Sequence, residues 1–156
     1  MLKLSVIITA FNRDNYILSA IESVLNQSLP RKYYEILVVK NFHNIDIDNR
    51  IKNNEIISIF SENGTWGEFQ QLALDRASGN IICFLDDDDL YERTKLEYVL
   101  NQFQQNSNLG YIHNTFSYID KYGNRLDTNW LKRIRNTLYL KNDSDLLKQI
   151  KSSNDN

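Results

Sequence analysis

The chain has 156 residues, of which 42% are hydrophobic and 24% charged, and a formal net charge of −2. That size and composition suit one globular domain with a sizeable core, and the near-neutral balance excludes a global attraction to nucleic acid or to an anionic membrane surface. A single cysteine, Cys83, excludes an internal disulfide, so a reducing, cytoplasmic setting is expected rather than a stapled secreted one.

Met1-Leu2-Lys3 has no signal-peptide layout and leads directly into Leu4-Ser5-Val6-Ile7-Ile8, a β-branched run with little polar alternation. Similar runs follow at Ile36-Leu37-Val38-Val39, Ile56-Ile57-Ser58-Ile59-Phe60 and Ile81-Ile82-Cys83-Phe84-Leu85. Such runs fit strands covered on both faces. Between the first two, Ile17, Ala20, Ile21, Val24 and Leu25 recur at helical spacing until Leu29-Pro30 ends the pattern. Phe69, Leu72, Ala73 and Ala77 repeat that spacing before Ser78-Gly79, and Leu96, Val99, Leu100 and Phe103 mark a helix after the fourth run. Gly110 opens an extended segment through Ile119 that turns at Asp120-Lys121-Tyr122-Gly123-Asn124, the pattern of a hairpin. From Trp130 to Lys141 basic and apolar residues mix, and the chain closes on a polar tail. That segment reads as a docked amphipathic helix or, alternatively, as a peripheral contact with the cytoplasmic face of a membrane. The expected division is a domain over 1–129 and a helical segment with tail over 130–156. No apolar run approaches the roughly 20 residues that span a bilayer.

Strands alternating with helices predict an α/β fold, a three-layer α/β/α sandwich on a mostly parallel sheet. Ligands on such sheets bind outside the carboxyl ends of the strands. Thr9-Ala10-Phe11-Asn12-Arg13 follows the first strand, Lys40-Asn41 the second, Glu62-Asn63-Gly64 the third, and Asp86-Asp87-Asp88-Asp89 the fourth. The unusual polar residues therefore gather at one edge.

The four aspartates demand an explanation, because two carboxylates about 5 Å apart at an effective dielectric near 20 repel by roughly 3 kcal/mol. Asp89 with Glu92 three residues on matches a capping box for the following helix. For Asp86, Asp87 and Asp88 a divalent cation is a better account than a merely solvated turn. Oxygen-only ligands without His or Cys favour Mg²⁺ or Mn²⁺ over zinc. The loop lacks the sixth-position glycine and the closing Glu of an EF-hand. Few carboxylates and an open coordination sphere suit an ion shared with substrate phosphates, which points to a nucleoside diphosphate.

The ordered set Val6 to Arg13, Ala20 to Gln27, Ser61 to Gly64, Gly79 to Tyr91 and Lys95-Leu96-Glu97 resembles family-two glycosyltransferases of the GT-A, Rossmann-like nucleotide-diphospho-sugar transferase fold, over most of residues 3 to 127. The resemblance implies transfer of a sugar from a nucleoside-diphosphate sugar to an acceptor hydroxyl of a glycan, lipid or protein, usually with inversion. It implies that Thr9, Ala10 and Phe11 frame the base, that Asp86 and Asp87 lie near the ribose and the metal, and that Asp88 is the main metal-binding carboxylate of a DxD motif. Asn12, Arg13, Lys40 and Gly64 fall on the same nucleotide-sugar-binding rim, Arg13 as a phosphate contact or as a solvated helix-start arginine.

The chain departs from the family pattern where Lys40-Asn41 replaces the common Asp-Asp and Gln70-Gln71 the common Arg-Asn. Lys40 then reads as a phosphate or base contact, or as a surface lysine. Members usually carry a further C-terminal portion with the acceptor site and a carboxylate base, so no general base is assigned here. Asp120 and Asp127 are explained by turn chemistry, and His113 by packing or hydrogen bonding. Cys83 reads as a buried small hydrophobe. Gly64-Thr65-Trp66-Gly67 is too short for a phosphate loop, and Trp66 is expected to pack, with ligand stacking as the alternative. Against the metal-dependent transferase stand a non-catalytic nucleotide-sugar-binding domain and, more remotely, an Asp-nucleophile phosphohydrolase, for which no supporting Thr/Ser and Lys pattern is present.

Overall fold

The computed structural model describes residues 2–126. They form β1 (Leu4–Ala10), α1 (Ile17–Leu25), a 3₁₀ turn (Arg31–Tyr33), β2 (Tyr34–Lys40), α2 (Ile45–Asn53), β3 (Ile57–Phe60), α3 (Trp66–Leu74), β4 (Ile81–Asp86) and α4 (Lys95–Gln105). The four strands pair in the order β3-β2-β1-β4, and every pairing is parallel.

All seven residues of β1 are buried, which is why its sequence is apolar on both faces instead of alternating. One face of the sheet, through Val6, Ile8, Val38 and Leu85, packs against Ile17 and Ile21 of α1, Ile47 and Ile51 of α2, and Leu96 and Val99 of α4. The other face, through Ile7, Leu37, Val39 and Ile59, packs against Phe69 and Ala73 of α3. These are the expected three layers. Fully burying each such side chain stabilises the fold by about 1.5–3 kcal/mol.

The connection from β2 to β3 contains a helix that apolar periodicity does not announce. Only Ile47 and Ile51 of α2 are buried. Its start is set instead by the Asn44 side chain, which accepts from the Asp46 and Ile47 amides, and by Asp46 and Asp48 in the first turn with Arg50 and Lys52 in the last. That charge order complements the helix dipole.

One expectation is corrected. The Asp89/Glu92 capping box does not form: the Asp89 amide donates to the Asp86 carbonyl at 3.1 Å, and α4 starts only at Lys95 behind Thr94, which gives no side-chain cap. Of the expected hairpin, the turn and the first pairing beside it lie within the described residues. Asp120 accepts from the Tyr122 and Asn124 amides at 2.8 and 3.0 Å, one antiparallel bridge joins Ile119 to Arg125, and the Leu126 amide donates to the Tyr118 carbonyl at 2.9 Å.

By its internal contacts the chain divides into two units, Met1–Ile112 and His113–Asn156. The expected segment 130–156 lies outside the described residues, among which no helix is long and apolar enough to cross a membrane.

Candidate functional site

The chain runs from β1 outward to β2 and β3, then returns to place β4 on the other side of β1. The direction of winding thus switches between β1 and β4, and the crevice outside the carboxyl ends of those two strands is where α/β sheets receive ligands. Thr9 of β1 sits in register with Asp86 of β4, so the segments that follow these strands, 11–13 and 87–89, leave the sheet side by side.

Arg13 ties them together. Its Nε donates to Asp87 Oδ2 at 2.9 Å and its Nη2 to Asp87 Oδ1 at 2.5 Å, while Nη1 lies 3.0 Å from Asp88 Oδ2. The bond to Asp87 pushes the guanidinium further above its ordinary pKa, against the opposing effect of burial. Arg13 is thus half-exposed, with its guanidinium engaged by Asp87 and Asp88. Asp87 is buried and committed to Arg13, whereas Asp86 and Asp88 are exposed. Asp89 is pushed above its usual carboxylate range, first by burial and then by the three neighbouring aspartates.

Thr9 and Ala10 are buried at the strand end, and Phe11 is half-exposed with its ring edge-on to Phe69, centroids 5.5 Å apart. Gly64, at φ +157°, abuts the same Phe69 ring, so that an added Cβ would meet it at 3.0 Å. Asn12 adopts φ +54°, a conformation Asn tolerates better than most residues. Its amide donates to Asn41 Oδ1 and its Oδ1 accepts from Asn41 Nδ2, both at 2.8 Å. This reciprocal pair fastens the end of β1 to the end of β2.

Lys40 is buried, which removes the surface-lysine reading. Its ammonium donates to the Phe42 carbonyl at 2.6 Å and pairs with Asp48 Oδ1 at 2.7 Å. Beside it the His43 ring stacks on Phe60, centroids 4.6 Å apart, with its Nδ1 3.9 Å from Asp48 Oδ2. Asn12 and Asn41 are among the rim residues expected from the strand ends, whereas His43, Phe60 and Asp48 carry no local spacing signal. The strand-end argument, applied to every rim position, reaches Phe60 at the end of β3, but not Asp48, which lies in the first turn of α2.

Elsewhere Trp66 is 63% exposed instead of packed, and His113 is exposed. Burial pushes the Cys83 thiol up to about 11, in keeping with a small core hydrophobe. Asp120 is engaged by its own turn, and Asp127 lies outside the described residues.

Among the described residues, no three or more His, Cys, Asp or Glu side chains converge on a point that would hold a metal. With Asp87 turned to Arg13, the exposed Asp86 and Asp88 supply two oxygen-only carboxylates. That set does not close a coordination sphere; it fits an ion that takes its remaining ligands from water and a diphosphate.

The family model described as Glycosyl transferase family 2 matches residues 5–151. An uncharacterized glycosyltransferase of Rickettsia bellii is 34% identical over 130 residues, covering 81% of this chain and 18% of that protein. The chain spans about a fifth of the length of the first curated relatives it matches. Among solved structures, S. aureus TarS 1–349 in complex with UDP superposes with a TM-score of 0.61 at 24% identity, over 67% of this chain and 32% of that one. The Pyrobaculum calidifontis mannosyltransferase PcManGT, in complex with GDP-Man and Mn²⁺, gives 0.56 at 19% identity, over 65% and 32%.

Proposed function

The chain belongs to glycosyl transferase family 2, and on that premise we propose that residues 1–129 form the donor-binding part of a metal-dependent, inverting glycosyltransferase acting on a nucleoside-diphosphate sugar. The observation that carries this reading is the join across the switch point: Arg13 on Asp87 brings Thr9 to Asn12 and Asp86 to Asp88 to one rim of the sheet.

In this reading Thr9, Ala10 and the half-exposed Phe11 ring frame the base, and Gly64 leaves room for the Phe69 ring that supports Phe11. Lys40 fixes the loop of residues 41–44, and Asn12 holds that loop to the end of β1. Asp88, with Asp86, would hold Mn²⁺ or Mg²⁺, which neutralises charge developing on the departing nucleoside diphosphate when bound. Arg13 then has two roles. It balances Asp87, and it screens Asp88 until a cation competes for the Asp88 oxygens and a diphosphate for the guanidinium. The neighbours seen with UDP and with GDP-Man and Mn²⁺ support a donor of this class. A cytoplasmic location, and an acceptor glycan, lipid or protein, belong to the same proposal.

The test is thermal unfolding with Mn²⁺ and UDP- or GDP-sugars. A rise in Tm that Asp88→Ala abolishes supports the reading, and no shift with any nucleotide sugar counts against it. Release of sugar to water from the bound donor then separates a transferase site from a domain that only binds.

A further inference from the structure

Residues 87–94, between β4 and α4, form no helix or strand of their own, yet they carry the aspartates on which the donor site depends. Something outside the loop has to hold it. Gln27, just beyond the end of α1, is 9% exposed, and a buried side-chain amide needs partners for both its donors and its acceptor. Its Nε2 donates to the Ser23 and Glu92 carbonyls, each at 2.9 Å, and its Oε1 accepts from the Leu96 amide at 2.9 Å. One side chain therefore satisfies a terminal carbonyl of α1, grips the loop, and supplies the N-terminal acceptor that Thr94 does not give α4. Ser23, one turn earlier on the same face, adds a second tie: its Oγ accepts from the Tyr91 amide at 3.1 Å and donates to the Ala20 carbonyl at 2.7 Å. The side chains of α1 and of the residue just past it thus pin the loop at 91, 92 and 96, beside the Ser28 amide, which donates to the Arg93 carbonyl at 2.8 Å.

We propose that Gln27 and Ser23 are positioning residues for the acidic run: anchored in α1, they fix the loop so that Asp86 and Asp88 meet a divalent cation and a diphosphate in one geometry. This rests on the donor-site reading above. The effect of the two side chains passes through the Tyr91, Glu92 and Leu96 backbone groups. A site present but loosely held loses affinity even when each ligand residue is intact.

The test compares the wild-type chain with Gln27→Met, which keeps an unbranched side chain of similar length but removes all three bonds, and with the milder Ser23→Ala. Amide hydrogen exchange is measured without ligand, and Mn²⁺ with UDP and separately with GDP is titrated calorimetrically well below the melting point. Both variants are expected to exchange faster over 88–96 while β1 and β2 keep their protection. Kd for the Mn²⁺–nucleotide pair should rise about tenfold or more, as for other residues that orient metal ligands. Unchanged affinity in a folded variant overturns the proposal whatever the exchange shows, and so does a loss of protection spread evenly over the sheet. Wild-type protein that binds neither nucleotide with Mn²⁺ overturns the donor-site reading itself, while the exchange comparison still decides whether these side chains hold the loop.

Discussion

Arg13 reaches across the gap between the ends of β1 and β4 and holds Asp87 by two hydrogen bonds of 2.9 and 2.5 Å. The Asp87 side chain is 5% exposed and that of Arg13 43%, so removing the arginine strands a buried carboxylate. Arg13→Met is expected to lower stability by about 1–2 kcal/mol, the low end for hydrogen bonds to a charged group because solvent screens the half-exposed partner. The urea midpoint should fall with the slope unchanged. The same variant frees Asp88 from its only described ion pair, so Mn²⁺ alone should bind more tightly. A midpoint equal to wild type would mean that the pair does not join the two strand ends energetically.

A second ion pair gives an asymmetric prediction. The Lys40 ammonium is buried, with Asp48 and the Phe42 carbonyl as its partners. Asp48→Ala leaves that charge buried with half its support and should cost about 1–3 kcal/mol. Lys40→Met removes the charge together with its demand and keeps the stem packed, so its cost should be smaller. Thermal unfolding of the two variants decides it. The reverse order would show that the buried ammonium does not depend on Asp48 for its support.

How much of this was legible follows from where each signal lies. The strands were readable because β1 is buried along its whole length, which forces an apolar run that no helix or loop explains as well. The rim was readable from the same fact, since strand ends locate the polar residues beyond them. The helix α2 was not, because two buried isoleucines in nine residues are too few to set a period; its cap and end charges were the available signal. Asp89 and Glu92 had capping-box spacing, but the loop is held from α1 by Gln27 and Ser23, and that tertiary grip moved the helix start to Lys95. The partnership of Arg13 with Asp87 spans 74 positions and leaves no local trace.

Gly79 shows how closely backbones approach at the other end of the sheet. An added Cβ there would meet the Ser5 amide nitrogen at 2.6 Å and the Leu4 carbonyl carbon at 2.7 Å, atoms of β1 that cannot rotate away. Gly79→Ala should cost about 1–3 kcal/mol, as overpacking does. Gly67, inside α3 with nothing within 4 Å of an added Cβ, is the contrast. Gly67→Ala should stabilise by about 0.4–1 kcal/mol through the unfolded chain and helix propensity. Equal denaturant midpoints for the two variants would refute the assignment of a close approach to Gly79.

The carboxylate beside that glycine makes the stability of the fold sensitive to acid. Glu35 of β2, opposite Ser5 of β1 in register, accepts from Ser5 Oγ at 2.6 Å, from the Ser78 amide and hydroxyl at 2.5 and 2.7 Å, and from Lys3 Nζ at 3.0 Å. Burial pushes its pKa up, but the bonds from Ser5, Ser78 and Lys3 outweigh that and hold the carboxyl at about 2, below its ordinary 4.5. Between these values the unfolded chain binds the proton and the folded chain does not, so stability rises with pH across the window. The Glu35 contribution is full above pH 4.5 and is lost as pH falls from 4.5 towards 2. Glu68 and Asp120 are also held low, so the wild-type slope alone does not isolate Glu35. Glu35→Gln, which keeps the shape and removes the charge, should be less stable at neutral pH and lose less stability on acidification. If the difference between wild type and Glu35→Gln stays constant from pH 6 down to pH 3, the Lys3–Ser5–Ser78 cradle is not what sets the acid sensitivity of this sheet.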